Sequence, residues 1–163
     1  MSEIRQLDTW LDHRNRDENT VADTLVLHAT ATGTLQEALE ILRLRGISYH
    51  AIVDHDGSSV LCVPFDRVAY HAGESFGPQG EGVNEYSVGL SMVNWNDGDE
   101  PYPAEQVAGL VELALAAKRA VPSLRYVTTH AVIAPKRKTD PVGFDVEGFA
   151  KRVGLEVWTG PAE

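Results

Sequence analysis

One run of residues, Thr24-Leu25-Val26-Leu27-His28-Ala29-Thr30, narrows the possible folds more than any other feature of the chain. It is aliphatic and β-branched, of strand length, and without alternating polar positions, which is the pattern of a strand buried on both faces. Such a strand needs cover from two sides, and a helix follows at once. Thr34-Leu35-Gln36-Glu37 is a capping box, Leu35, Ala38, Leu39 and Leu42 recur at helical spacing, and Gly46 supplies the stop.

The same pattern continues. Residues 48–54 and 58–63 are short strand-like runs joined through His55-Asp56-Gly57, a hairpin signal. Residues 64–85 are rich in Gly, Pro and polar side chains and are expected to form a long surface loop. Residues 86–93 read as another buried strand, in which Gly89 allows a close neighbour. Pro103 opens a helix to Ala120 whose inner stripe is Val107, Leu110, Val111 and Ala114, and Pro122 prevents its continuation. A strand over 125–129 and a last helix over 145–153 complete an α/β fold with one central mixed sheet flanked by helices.

A length of 163 residues is that of one domain, and no repeat, low-complexity tract or linker divides it. The domain is expected over residues 21–158, with residues 1–20 as an N-terminal extension and 159–163 as a tail. Fourteen basic against twenty-four acidic residues give a net charge of −10, which disfavours nucleic acid and anionic membrane surfaces as partners. The excess is local: residues 54–105 hold ten acids and one base, Arg67, whereas residues 130–152 hold five bases and three acids. The single cysteine, Cys62, excludes an internal disulfide and an all-cysteine zinc site, and reads as a small buried hydrophobe. The N-terminal residues contain no apolar signal-peptide core and no run is long enough to span a bilayer, so a cytoplasmic location is expected unless a phage lysis system releases the chain to the wall.

Of the six histidines, His28 and His130 stand where predicted strands end, the edge at which open α/β sheets build their sites. Asp140, in a loop bounded by Pro135 and Pro141, could complete a His2Asp set, and three protein ligands leave a fourth position on zinc for water. Spacing alone leaves this beside the plainer alternative of unrelated histidines, because His-x9-Asp is not a compact ligand motif. His50 is expected to face away from its strand neighbour Tyr49. His13, His50 and His55 receive no catalytic role.

The residues in their order carry more. Leu27-His28, Tyr49-His50, Val63-Pro64-Phe65-Asp66, His71-Ala72-Gly73, Ser87-Val88-Gly89, and His130 followed by Lys138-Thr139-Asp140-Pro141 resemble the zinc-dependent N-acetylmuramoyl-L-alanine amidases. That family includes amidase-type phage lysozymes, muropeptide-recycling amidases and peptidoglycan recognition proteins. The resemblance runs from about residue 21 to 155. It implies that His28, His130 and Asp140 hold a zinc ion (Zn2+), that Lys138 steadies developing negative charge, and that Tyr49 stands beside the attacking water. It also implies that His71 lines the substrate groove. One position departs from the recycling branch, which places a glutamate on the strand where this chain has Ser91.

The activity so implied is hydrolysis of the bond between the lactyl group of N-acetylmuramic acid and the L-alanine of the stem peptide, in peptidoglycan or in soluble muropeptides. Rival readings are a recognition module that binds without cutting and a zinc peptidase acting within the stem. Lys136 and Arg137 could meet stem carboxylates or could form a solvated loop. The net charge favours a soluble fragment over an anionic wall.

Overall fold

The structure, a computed structural model, describes residues 4–162. Its centre is a seven-stranded mixed sheet in the order β1-β5-β4-β9-β3-β10-β11, formed by Ile4–Gln6, Ser59–Leu61, Ala51–Val53, Ser87–Met92, Thr24–Ala29, Tyr126–Thr129 and Glu156–Val157 respectively. β4, β9, β3, β10 and β11 are mutually parallel, and β5, with β1 beside it, runs against them. All six residues of β3 and all six of β9 are buried, as their uninterrupted apolar pattern requires.

The helices form where their caps lie. α1 (Leu35–Arg45) starts at Thr34, whose hydroxyl accepts the Glu37 amide at 3.1 Å, and ends at Gly46 in the left-handed region. α2 spans Ala104–Ala120, α3 is the single turn His130–Ile133, and α4 spans Val146–Val153 behind the Asp145 cap. α2 and α4 cover one sheet face, where Leu25, Leu27, Val88, Leu90 and Met92 meet Leu110, Leu113 and Phe149. The opposite face packs partly on α1 through Ile52, Ala38 and Leu42, with Cys62 buried among them and its thiol pushed up to about 12 by burial.

Three expectations change. The inner stripe of α2 is centred on Gln106, Gly109, Leu110, Leu113, Ala114 and Ala117, leaving Val107 and Val111 half-buried at its border. Two things rotate the helix: Gln106 Nε2 donates to the carbonyls of Val93 (3.0 Å) and Val53 (3.3 Å) at the strand ends, and Gly109 lets the helix sit on the Gly57 turn. The segment before residue 21 is built into the fold. β1 is the sheet's edge strand, β2 (His13–Asn15) pairs with β6 (Arg67–Ala69), and Leu11 is buried in the α1-side core. Strands of three residues are too short to give a periodic signal. Residues 64–85 likewise hold β6, a small hairpin of β7 (Phe76–Gly77) with β8 (Gly80–Glu81), and a 3-10 turn at Val83–Tyr86. No helix among the described residues is long and apolar enough to cross a membrane.

A Cβ on Gly109 would overlap the Gly57 carbonyl oxygen and lie 2.8 Å from Val53 Cγ2. Gly109→Ala is therefore expected to destabilise the protein by about 1–3 kcal/mol despite the better helix propensity of alanine. A lower urea midpoint with an unchanged m-value would show this, and a raised midpoint would refute it.

Candidate active site

β3 and β10 are parallel neighbours with Leu27 paired to Thr129, so the residues that follow each pair, His28 and His130, arrive at the same sheet edge. His130 opens α3, whose Thr129 cap accepts the Val132 amide at 3.2 Å and fixes the chain direction at that point. Asp140 comes back over this edge from the following loop. Its Oδ2 accepts the Ala29 amide at 3.1 Å, and its carbonyl accepts the Ala131 amide at 3.0 Å.

The three side chains converge. His28 Nδ1 lies 3.0 Å from His130 Nδ1 and 3.5 Å from Asp140 Oδ2, and His130 Nδ1 lies 3.3 Å from Asp140 Oδ1. A tetrahedral zinc ion with bonds of about 2.0–2.1 Å holds its ligands about 3.3–3.4 Å apart, so the donor set has the separation and the N, N, O chemistry that such an ion takes. His130 Nε2 faces the Ala72 carbonyl at 3.2 Å, which can only accept. An imidazole with its proton there presents an Nδ1 lone pair to a bound metal.

Electrostatics agree with this role. Burial lowers the pKa of His28 to about 4, so the ring is neutral and available as a ligand near pH 7. Burial works to raise Asp140, but the hydrogen bonds and charge interactions with His130 and His28 outweigh it and hold the carboxyl well below the usual carboxylate range. The site thus pairs two imidazoles, that of His28 neutral, with an ionised carboxylate.

The groove above these residues encloses about 510 Å³. Its lining includes the apolar Ile41, Leu42 and Ile47 as well as Tyr70, Asn96, Lys138 and Thr139. Lys138 is exposed on this wall. The Tyr49 ring stands 4.9 Å from that of His28, and burial together with the Asp140 charge pushes its phenol pKa up, so it keeps its proton. His71 borders the groove, yet its ring nitrogens are engaged elsewhere: Nδ1 with His28 Nε2 at 2.9 Å and Nε2 with Ser87 Oγ at 3.0 Å. Ser91, paired in register with His28, is fully buried, with its side chain interacting with the Tyr49 phenol.

Other sequence candidates are placed outside the chemistry. His50 is buried between the Arg67 carbonyl (2.7 Å) and the Gly89 amide (3.0 Å), His55 bridges Asp54 and Glu100, and His13 bonds the Leu11 carbonyl. Arg137, though exposed, is anchored to the protein, donating to the carbonyls of Ala72 at 3.0 Å and Glu74 at 2.6 Å. Sequence reasoning passed over Asn96, which adopts a positive φ of 62°. Its side chain holds the Asp140 loop through the Val142 amide at 2.7 Å and Thr139 Oγ1 at 3.1 Å. A lone asparagine in an acidic turn gives no signal of that kind.

Comparison with known proteins is consistent with this geometry. An N-acetylmuramoyl-L-alanine amidase family profile matches residues 18–143. The 1,6-anhydro-N-acetylmuramyl-L-alanine amidase AmpD of Salmonella typhimurium is 36% identical over 120 residues, covering 71% of this chain and 62% of the relative. The chain thus spans less than two thirds of that relative's length. A crystal structure of an AmpD derivative superposes with a TM-score of 0.76 at 28% identity, covering 94% of this chain and 96% of the other. The Escherichia coli amidase AmiD, solved with anhydro-N-acetylmuramic acid-L-Ala-D-gamma-Glu-L-Lys, gives a TM-score of 0.75 at 25% identity, covering 89% and 63%. With most of its length inside the family profile and with this architecture, the chain belongs to the N-acetylmuramoyl-L-alanine amidase family.

Proposed function

We propose that this protein is a zinc amidase that hydrolyses the amide bond between the lactyl group of N-acetylmuramic acid and the L-alanine of the stem peptide. The observation that carries the reading is the convergence of His28 Nδ1, His130 Nδ1 and an Asp140 oxygen, all within 4.8 Å of one another, at the floor of a groove. His28, His130 and Asp140 would hold the metal. A bound zinc ion supplies Lewis acidity and lowers the pKa of water to about 7, which makes hydrolysis possible without a strong carboxylate base.

The chain's own residues do the rest. Tyr49, held protonated against His28, orients the attacking water through its hydroxyl. Lys138 donates to the carbonyl oxygen as negative charge develops on it, a preorganised contact that is stronger in the transition state than in the ground state. His71 is read from family resemblance as part of the groove wall, and its position at the border of the groove agrees with that. The net charge of −10 disfavours approach to an anionic wall, so the preferred substrate is a soluble muropeptide, of the kind a cytoplasmic enzyme meets. The AmpD relative's name, which specifies a 1,6-anhydro sugar, supports the same preference.

Mass spectrometry of a digest of a defined anhydro-muropeptide tests the bond: free sugar and an intact stem peptide are expected, whereas a shortened peptide still attached to sugar would mean a peptidase. His130→Ala is expected to lose zinc and activity together, and amide hydrolysis at the parental rate by a metal-free variant would overturn the site. Lys138→Ala should keep its zinc and lose about a hundredfold or more in kcat, the usual cost of one oxyanion donor, with a smaller loss for Tyr49→Phe. For the substrate, kcat/KM on the soluble fragment should exceed that for clearing purified wall at low and moderate salt. The reverse order would identify a lysin.

A further inference from the structure

His28 and His130 both turn Nδ1 toward Asp140, but their outer nitrogens are treated differently. That of His130 meets a backbone carbonyl, an acceptor that permits one tautomer only. That of His28 meets another imidazole. His71 Nδ1 lies 2.9 Å from His28 Nε2, and its own Nε2 lies 3.0 Å from Ser87 Oγ. The rings of His28 and His71 cross at 90° with centroids 5.0 Å apart. His28 is completely buried and His71 nearly so.

This contact depends on Gly89. A Cβ there would stand 2.5 Å from His71 Cγ, so the imidazole lies directly on the β9 backbone, with Ser87 on the same face. His71 is held by the sheet beneath and by His28 above.

We infer that His71 and Ser87 form a hydrogen-bonded relay that sets the tautomer of His28 and so positions it as a metal ligand. Every member of this relay can donate or accept, so the chain of bonds can run in either direction with one proton on each ring. Only one direction leaves the His28 Nδ1 lone pair free: His28 Nε2–H donates to His71 Nδ1, and His71 Nε2–H donates to the Ser87 hydroxyl. No net charge is needed, because one proton on each ring satisfies every bond of the relay. A partner that orients a ligating histidine through its outer N–H typically accounts for ten- to hundredfold in metal affinity. The assignment rests on the zinc site proposed above and gives His71 a role distinct from substrate contact.

The test reads zinc and protons directly. In the zinc-loaded parent protein, 15N NMR of the imidazoles should place the proton of His28 on Nε2 and that of His71 on Nε2; a proton on His71 Nδ1 would overturn the relay. That measurement stands even where variants fail to fold. In competition with a chromophoric chelator, His71→Ala is expected to bind zinc about ten- to hundredfold more weakly, with a smaller loss for Ser87→Ala. Imidazole added to His71→Ala should restore much of the affinity, because the lost ring opens onto the groove. Purely structural damage would not respond to it. Parental zinc affinity in His71→Ala, with only KM raised, would make His71 a substrate contact and overturn the relay while leaving the amidase reading intact. A parent protein that binds no zinc would overturn both.

Discussion

The site depends on how little side chain β9 presents to it. Along that strand Val88, Leu90 and Met92 point into the α2 and α4 core, while Ser87, Gly89 and Ser91 face the other way. Three small residues at alternate positions leave a trough in the centre of the sheet, and aromatic rings fill it: His71 rests on Gly89, His28 stands over the neighbouring strand, and Tyr49 closes the side. Larger residues there would force the rings apart, and the two Nδ1 atoms could not meet at 3.0 Å. The convergence of these side chains is therefore a packing result before it is an electrostatic one.

Burial then supplies the electrostatics. Within the trough the imidazoles of His28, His50 and His71 are all held below the ordinary histidine pKa, His50 as low as about 3, chiefly because charge is costly where water is absent. Their nitrogens are left to act as neutral donors and acceptors. Each finds a defined partner, so the rings keep fixed orientations. The ionised group among the metal-ligand candidates is Asp140, stabilised by the Ala29 amide and by His130 and His28. A carboxylate with one full negative charge beside two imidazole nitrogens suits a divalent cation without needing further acids.

Much of this was legible in the sequence, and the parts that were not share a reason. The continuous apolar runs of β3 and β9, the capping box before α1 and the Asp-Gly turn each have a local signature, and all formed where they were expected. His28 and His130 could be placed at strand ends because strand length is readable. Their convergence with Asp140 was carried by family resemblance, since the contact spans 102 residues for one pair and 111 for the Ala29 amide bond. The rotation of α2 was missed because Gln106 and Gly109 look like polar and weak positions until the strand carbonyls and the Gly57 turn are seen beside them. β1, β2 and β6 were missed because three residues in a strand give no period, and their stability comes from pairing with distant segments.

Arg137 has a consequence of another kind. Its guanidinium ties together the carbonyls of Ala72 and Glu74, and the Ala72 oxygen is the same one that His130 addresses. The segment after His71 and the segment before Asp140 are thus stitched into one plate, with His130 on one margin and the groove wall on the other. In any exchange of loops between relatives, these two stretches would have to travel as a pair. Transplanted singly, either would arrive with a carbonyl lacking its cation or a buried imidazole lacking its acceptor, and the graft would fail at the seam before reaching the chemistry.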